Sequence, residues 1–195
     1  MVFEESGLLF TFSDAWNVRP FDDHRYYRWF SGRGFRGVDF VGVYRDQLVL
    51  MEVKNYRRRE GMPQADAFQP VREAPGAFAL KMAKKVEDTF EVMLAANGAH
   101  RRRWWFPFFM RLPERWKRRY PQRYFWYIAS ELAQDPANCV FVLWLDADSE
   151  TEQVESVIVE NLKTNLIDYT SRVQIARLGN HPFDGDMDVS VVWKD

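Results

Sequence analysis

Asp39, Glu52 and Lys54 are the residues of this chain whose types and spacing could do chemistry, and all lie in Gly37–Tyr56, GVDFVGVYRDQLVLMEVKNY. Residues 38–44 and 47–54 are rich in Val, Leu, Phe and Tyr, and the polar pair Arg45-Asp46 divides them. That is the pattern of two antiparallel strands joined by a short turn. A loop symmetric about Arg45-Asp46 sets Val43 against Leu48, Val41 against Leu50 and Asp39 against Glu52. Directly opposed residues project on one face with Cβ atoms about 5 Å apart, and the period of two adds Lys54 to the face of Glu52. Two carboxylates held so close repel each other, by up to roughly 4 kcal/mol at about 4 Å and an effective dielectric near 20. A divalent cation would offset this, since Mg²⁺ accepts one or two carboxylates and completes its shell with water and phosphate oxygens. Lys54 alone is the competing source of compensation, and an odd-length loop or a β-bulge would put the acids on different faces.

With this setting, Asp39 followed across a hairpin by Glu52-Val53-Lys54 resembles the signature of the PD-(D/E)xK nuclease superfamily, of restriction-endonuclease-like fold. Val38 stands where the motif has its proline. The resemblance implies that Asp39, Glu52 and the backbone carbonyl of Val53 hold Mg²⁺ or Mn²⁺, and that Lys54 positions or activates the attacking water. It also implies an acid before the hairpin as a further ligand, for which Asp22, Asp23 and Glu5 are the candidates. The chemistry supports those roles, because a metal acidifies bound water and neutralises charge developing on a phosphoryl group. The plainer reading is a salt-bridged Asp-Lys-Glu cluster on a solvated strand. Against it, Leu48, Val49, Leu50, Met51 and Val53 make the second strand apolar on both faces, as a central strand would be.

The surrounding elements must position that face. A short strand is expected over 8–12, a turn at Ser13-Asp14, and a helix from about Pro20 to Phe30, with Asp22 and Asp23 in its first turn, a place that also suits capping. Ala79, Met82, Ala83, Val86, Phe90 and Met93 recur at helical spacing, with Lys84, Glu87, Asp88 and Glu91 assigned to the opposite side, and Asn97-Gly98 is expected to stop the helix. Residues 139–145 read as a continuous apolar strand, 151–167 as a polar helix and 172–178 as a strand, a β-α-β unit. Together these predict one α/β domain over residues 1–195, a central mixed sheet flanked by helices on both faces. The nuclease-like core spans about 20–100 and 138–180, and an Arg/aromatic-rich insertion spans about 100–128. Asp146 and Asp148 at a strand end suit a turn more readily than a metal, and Asp184, Asp186 and Asp188 lack the Glu that completes a calcium loop.

A net charge of −1 conceals segregation: His100–Arg123 holds nine Lys or Arg against one acid, and Asp135 onward holds twelve acids against four bases. A basic face for a polyanion follows, and the nuclease resemblance implies DNA ahead of RNA. Arg57, Arg58 and Arg59 after the hairpin, with Arg101, Arg102, Arg103, Arg118 and Arg119, are its candidate nucleic-acid contacts. Rings interleaved with the later cations suit stacked bases, or they fill the core while the arginines are solvated. The single Cys139 excludes an internal disulfide and reads as a small core residue, and the scattered His24, His100 and His181 exclude a zinc site. No run of apolar residues is long enough for a membrane span, and the N-terminus is acidic, so a cytoplasmic protein is expected. The leading expectation is a metal-dependent nuclease, either as a homodimer or with a partner protein. The alternatives are a nucleic-acid-binding or assembly subunit that retains the fold without cleaving, and an interaction protein that docks through exposed aromatics.

Overall fold

The computed structural model describes residues 1–23, 32, 34–57, 66–113, 116, 121–148, 152–181 and 189–194. The hairpin forms as the sequence requires. Strands β4 (Phe40–Tyr44) and β5 (Gln47–Asn55) pair antiparallel with Phe40 opposite Met51, Val41 opposite Leu50 and Tyr44 opposite Gln47. Arg45 takes φ of 53° in the two-residue turn, the left-handed conformation that lets such a turn follow strand twist. Asp39 lies one step beyond the last paired residue, in line with Glu52.

Three earlier strands precede the hairpin: β1 (Val2–Glu5), β2 (Leu8–Phe12) and β3 (Trp16–Pro20). Helices α1 (Gln69–Glu73), α2 (Pro75–Arg101), α3 (Phe106–Arg111) and α4 (Pro121–Leu132) lead to β6 (Cys139–Asp146). Helix α5 (Glu152–Asn165), β7 (Arg172–Ala176) and β8 (Val189–Trp193) complete the chain. The main sheet is ordered β3-β4-β5-β6-β7, antiparallel up to β5 and parallel from β5 to β7, and β1-β2-β8 form a second, antiparallel sheet. This is an α/β fold on a mixed five-stranded sheet, and the expected strand over 8–12, the apolar strand from 139 and the β-α-β unit are all present. No helix among the described residues is long and apolar enough to cross a membrane.

Among the described residues helices flank only one face of the main sheet, where the sequence suggested both. Both parallel connections step the same way across the sheet, from β5 to β6 and from β6 to β7, and connections of one hand then put their helices on one side. Phe78, Met82 and Val86 of α2, Phe125 of α4 and Ile158 and Leu162 of α5 pack there against Leu48, Leu50, Phe141 and Leu143. The small sheet covers the other face, where Leu8, Phe10 and Phe12 meet Phe40, Val49, Met51, Val142 and Trp144. Alternation along β5 therefore aims Leu48, Leu50, Glu52 and Lys54 at the helices and Val49, Met51 and Val53 at the small sheet.

Two further expectations are corrected. Helix α2 does not stop at Asn97-Gly98 but continues to Arg101. Asn97 is buried and donates to Glu131 of α4 at 3.4 Å, and Arg101 pairs with the same carboxylate, so packing outweighs the roughly 1 kcal/mol that glycine costs inside a helix. Asp88 is not on the solvent side but buried. It accepts the Arg36 backbone N–H at 2.8 Å, beside Thr89, whose hydroxyl accepts that of Val38 at 3.0 Å. Those two bonds clamp the approach to Asp39 onto α2. The expected helix after Pro20 begins as a 3-10 turn at Phe21–Asp23, and residues 24–31 lie outside the described residues.

Gly37 serves the same approach. A Cβ there would lie 2.0 Å from the ring of Phe21, a fully buried residue whose backbone N–H donates to the Asp39 carbonyl at 3.0 Å. Gly37→Ala is expected to lower stability by about 1–3 kcal/mol in urea titration through overpacking. Cys139 is a buried core residue. Burial, aided by Asp135, pushes its thiol up to about 12, so it is expected to react with a thiol reagent only after denaturant unfolds the chain.

Candidate functional site

The site sits where β4 and β5 meet α2. Asp39, half-buried, receives the Val53 N–H on Oδ2 at 2.7 Å, a bond across the hairpin that orients the carboxylate. Glu52 is fully buried beside it. Its Oε1 accepts from Lys54 and, at 2.6 Å, from Lys85 of α2, and the Lys54 ammonium also donates to the Val53 carbonyl at 3.0 Å. Glu52 Oε2 is buried and has no hydrogen-bond partner among the described residues. The structure thus brings together Asp39, Glu52, Val53 and Lys54, and adds a residue that sequence reasoning missed, Lys85.

Burial raises the Glu52 carboxyl above the ordinary carboxylate range, and Asp39 pushes the same way against the two lysines. Burial pulls the Lys54 ammonium down, but Glu52, with help from Asp39 and Tyr56, outweighs it and holds the group above its usual value. Two carboxylates and two ammoniums make a formally neutral group, with both cations on one oxygen of Glu52. The other oxygen is the orphan. A buried carboxylate oxygen without a donor is costly, and a hard cation is one partner that fits it, since oxygen ligands are what Mg²⁺ and Mn²⁺ take. Asp39 and Glu52 are the two acids available, and no group of three or more His, Cys, Asp or Glu among the described residues converges on one point. One or two carboxylates suffice for Mg²⁺.

The other candidates separate by position. Asp22 is exposed on the 3-10 turn whose Phe21 docks on the Asp39 carbonyl, and the side chain of Asp23 lies outside the described residues. Glu5 ends β1, in the layer on the far side of the main sheet, and is not a candidate for the face of Glu52. Asp146 shares the Trp144 side of β6. It accepts the Trp144 indole N–H at 2.6 Å and the Leu178 backbone N–H at 3.2 Å, and pairs with Arg57 at 3.2 Å. Alternation places this group on the face opposite Glu52, so Asp146 fastens layers together. Arg57 is held by it and lies over Trp193 at 5.7 Å. Arg58, Arg59, Arg118, Arg119, Asp184, Asp186 and Asp188 lie outside the described residues.

The Arg/aromatic segment puts some of its rings in the core and leaves others exposed. Phe109, Phe125 and Trp126 are buried, and Arg123 lies over Trp105 at 4.9 Å. Arg102 and Arg103 are exposed, and Arg101 is tied to Glu131.

Comparison of the chain with protein-family models, curated proteins and solved structures gives no match.

Proposed function

We propose that the chain is a metal-dependent nuclease of restriction-endonuclease-like type that hydrolyses phosphodiester bonds, DNA ahead of RNA. The observation that carries this reading is the buried Glu52 carboxylate, opposed to Asp39 on one face, with Oε1 held by two lysines and Oε2 left without a partner among the described residues. Asp39, Glu52 and the Val53 carbonyl would hold the cation, Mg²⁺ or Mn²⁺, which when bound acidifies water and neutralises charge on the phosphoryl oxygens. Lys54 keeps Glu52 oriented and presents a proton donor to water or phosphate beside it. Lys85 shares the load on Oε1, which frees Lys54 to make that contact without leaving Glu52 unpaired. Arg102 and Arg103, exposed at the end of α2, would contact phosphates.

A second reading has one specific observation in its favour: the two lysines offset both carboxylates with no cation. It makes the chain a nucleic-acid-binding or assembly subunit that cleaves nothing. Nicking of supercoiled plasmid and of single-stranded oligonucleotides with Mg²⁺, Mn²⁺ or EDTA separates the two. Cleavage that needs metal and is lost in Asp39→Ala and Lys54→Ala supports the nuclease. Salt-sensitive binding without cleavage in all three proteins supports the second reading.

A further inference from the structure

Residues 101–111, RRRWWFPFFMR, contain four arginines and no acid. A tight turn joins α2 to α3, with the Phe106 N–H donating to the Arg103 carbonyl and that of Phe109 to Trp105. Helical spacing sorts the rings into two pairs. The inner pair is Trp105 and Phe109, 6.1 Å apart edge to face, with Phe109 buried. The outer pair, Trp104 and Phe108, 6.3 Å apart, is 81% and 63% exposed. An inner pair fastens the segment, so the outer pair is not needed to fill the core. Arg102, Arg103 and Arg111, close to it in sequence, are exposed.

We infer that Trp104 and Phe108, together with the exposed Arg102, Arg103 and Arg111, form a stacking platform for the unpaired bases of single-stranded nucleic acid. Every base offers a π-face, and cations beside exposed rings meet the phosphates that link such bases. Duplex bases are already stacked and offer no face to these rings. A membrane surface fits less well: α3 spans only Phe106–Arg111 and turns Phe109 inward, so it lacks the continuous apolar face an interfacial helix inserts. Helix α2 links the platform to the acid site, since Lys85 contacts Glu52 and Arg101 precedes the turn. That interval of helix is about 24 Å at 1.5 Å per residue. One strand with a 3.4 Å rise covers it with about seven nucleotides. The platform's place in a cleavage substrate rests on the nuclease reading; its binding of single strands does not.

The test is fluorescence anisotropy of labelled 12-nucleotide single strands and blunt duplexes in EDTA, with the full chain, the double variant Trp104→Ala/Phe108→Ala, and Arg102→Ala/Arg103→Ala. The expected result is a single-strand preference that falls tenfold or more in the ring variant, whose thermal melt is unchanged because both rings are exposed. The arginine variant should lower the slope of log affinity against log salt by about 0.7 for each phosphate it no longer neutralises. Because EDTA prevents metal-dependent cleavage, the binding result stands whether or not the native chain cleaves. Equal binding by native chain and ring variant overturns the inference. So does capture by anionic phospholipid vesicles that the ring variant loses while oligonucleotides go unbound.

Discussion

Glu52→Gln is expected to reduce metal-dependent cleavage about a thousandfold or more while the protein stays folded. The loss corresponds to about 4 kcal/mol of transition-state stabilisation, at about 1.36 kcal/mol per tenfold. It follows because the amide presents a neutral oxygen where a cation needs a charged one. Retention of the fold follows from the burial that raises the Glu52 carboxyl: relative to the unfolded chain the surroundings shift the balance toward the uncharged form, even with two lysines in contact. The pH dependence carries the same sign. Because the folded state holds the Glu52 proton more tightly than the unfolded chain, ionising Glu52 lowers stability as pH rises from the ordinary carboxyl range through its raised folded value. Native protein should therefore gain stability on acidification across that window, and Glu52→Gln should lack this contribution in thermal melts at matched pH. Cleavage should fall over the same window, at a midpoint above an ordinary glutamate's. A native melting profile identical to that of Glu52→Gln at every pH would contradict the buried-carboxylate account.

Asp146→Ala is expected to have the largest effect on stability, roughly 3–5 kcal/mol, as when one partner of a buried ion pair is removed. Asp146 is 1% exposed and serves the Trp144 indole, the Leu178 backbone and Arg57 at once. Its carbonyl also accepts the Tyr56 N–H at 2.7 Å. Alanine strands three donors, two of them against the buried Trp144 side of the sheet. Asparagine keeps one acceptor oxygen and should cost less. Urea titration reads both, and a change within 1 kcal/mol for alanine would contradict the role. Since Asp146 faces away from Glu52, Asp146→Asn should bind Mn²⁺ as the native chain does, which distinguishes a structural acid from a ligand.

The hairpin was legible because its signals are local: alternation, the Arg45-Asp46 turn, and a register that brings Asp39 in line with Glu52. The strand from Cys139 and the helix and strand after it were legible for the same reason. Strands β1, β3 and β8 were not. β8 pairs with β2 across most of the chain, and no local pattern announces a partner that distant. The second layer that β1 and β8 build with β2 is what displaces helices from that face. Lys85 carries a signal of its own: it lies three residues after Met82 and four before Thr89, inside the buried stripe of α2. A lysine in such a stripe needs an acid opposite it, and Glu52 is that acid. Asp88 and Asn97 follow the same logic, polar residues placed inward to hold a strand approach and a neighbouring helix.

Titration of Mn²⁺ into the protein, followed by the electron paramagnetic resonance signal of the free ion, asks most directly whether Asp39 and Glu52 hold a divalent cation. The expected result is one ion per chain in the native protein, displaced by Mg²⁺ and lost in Asp39→Ala and Glu52→Gln. No binding by the native chain at millimolar Mn²⁺, or binding unchanged in both variants, would contradict a metal site at this acid pair and leave the lysines as its permanent counterions.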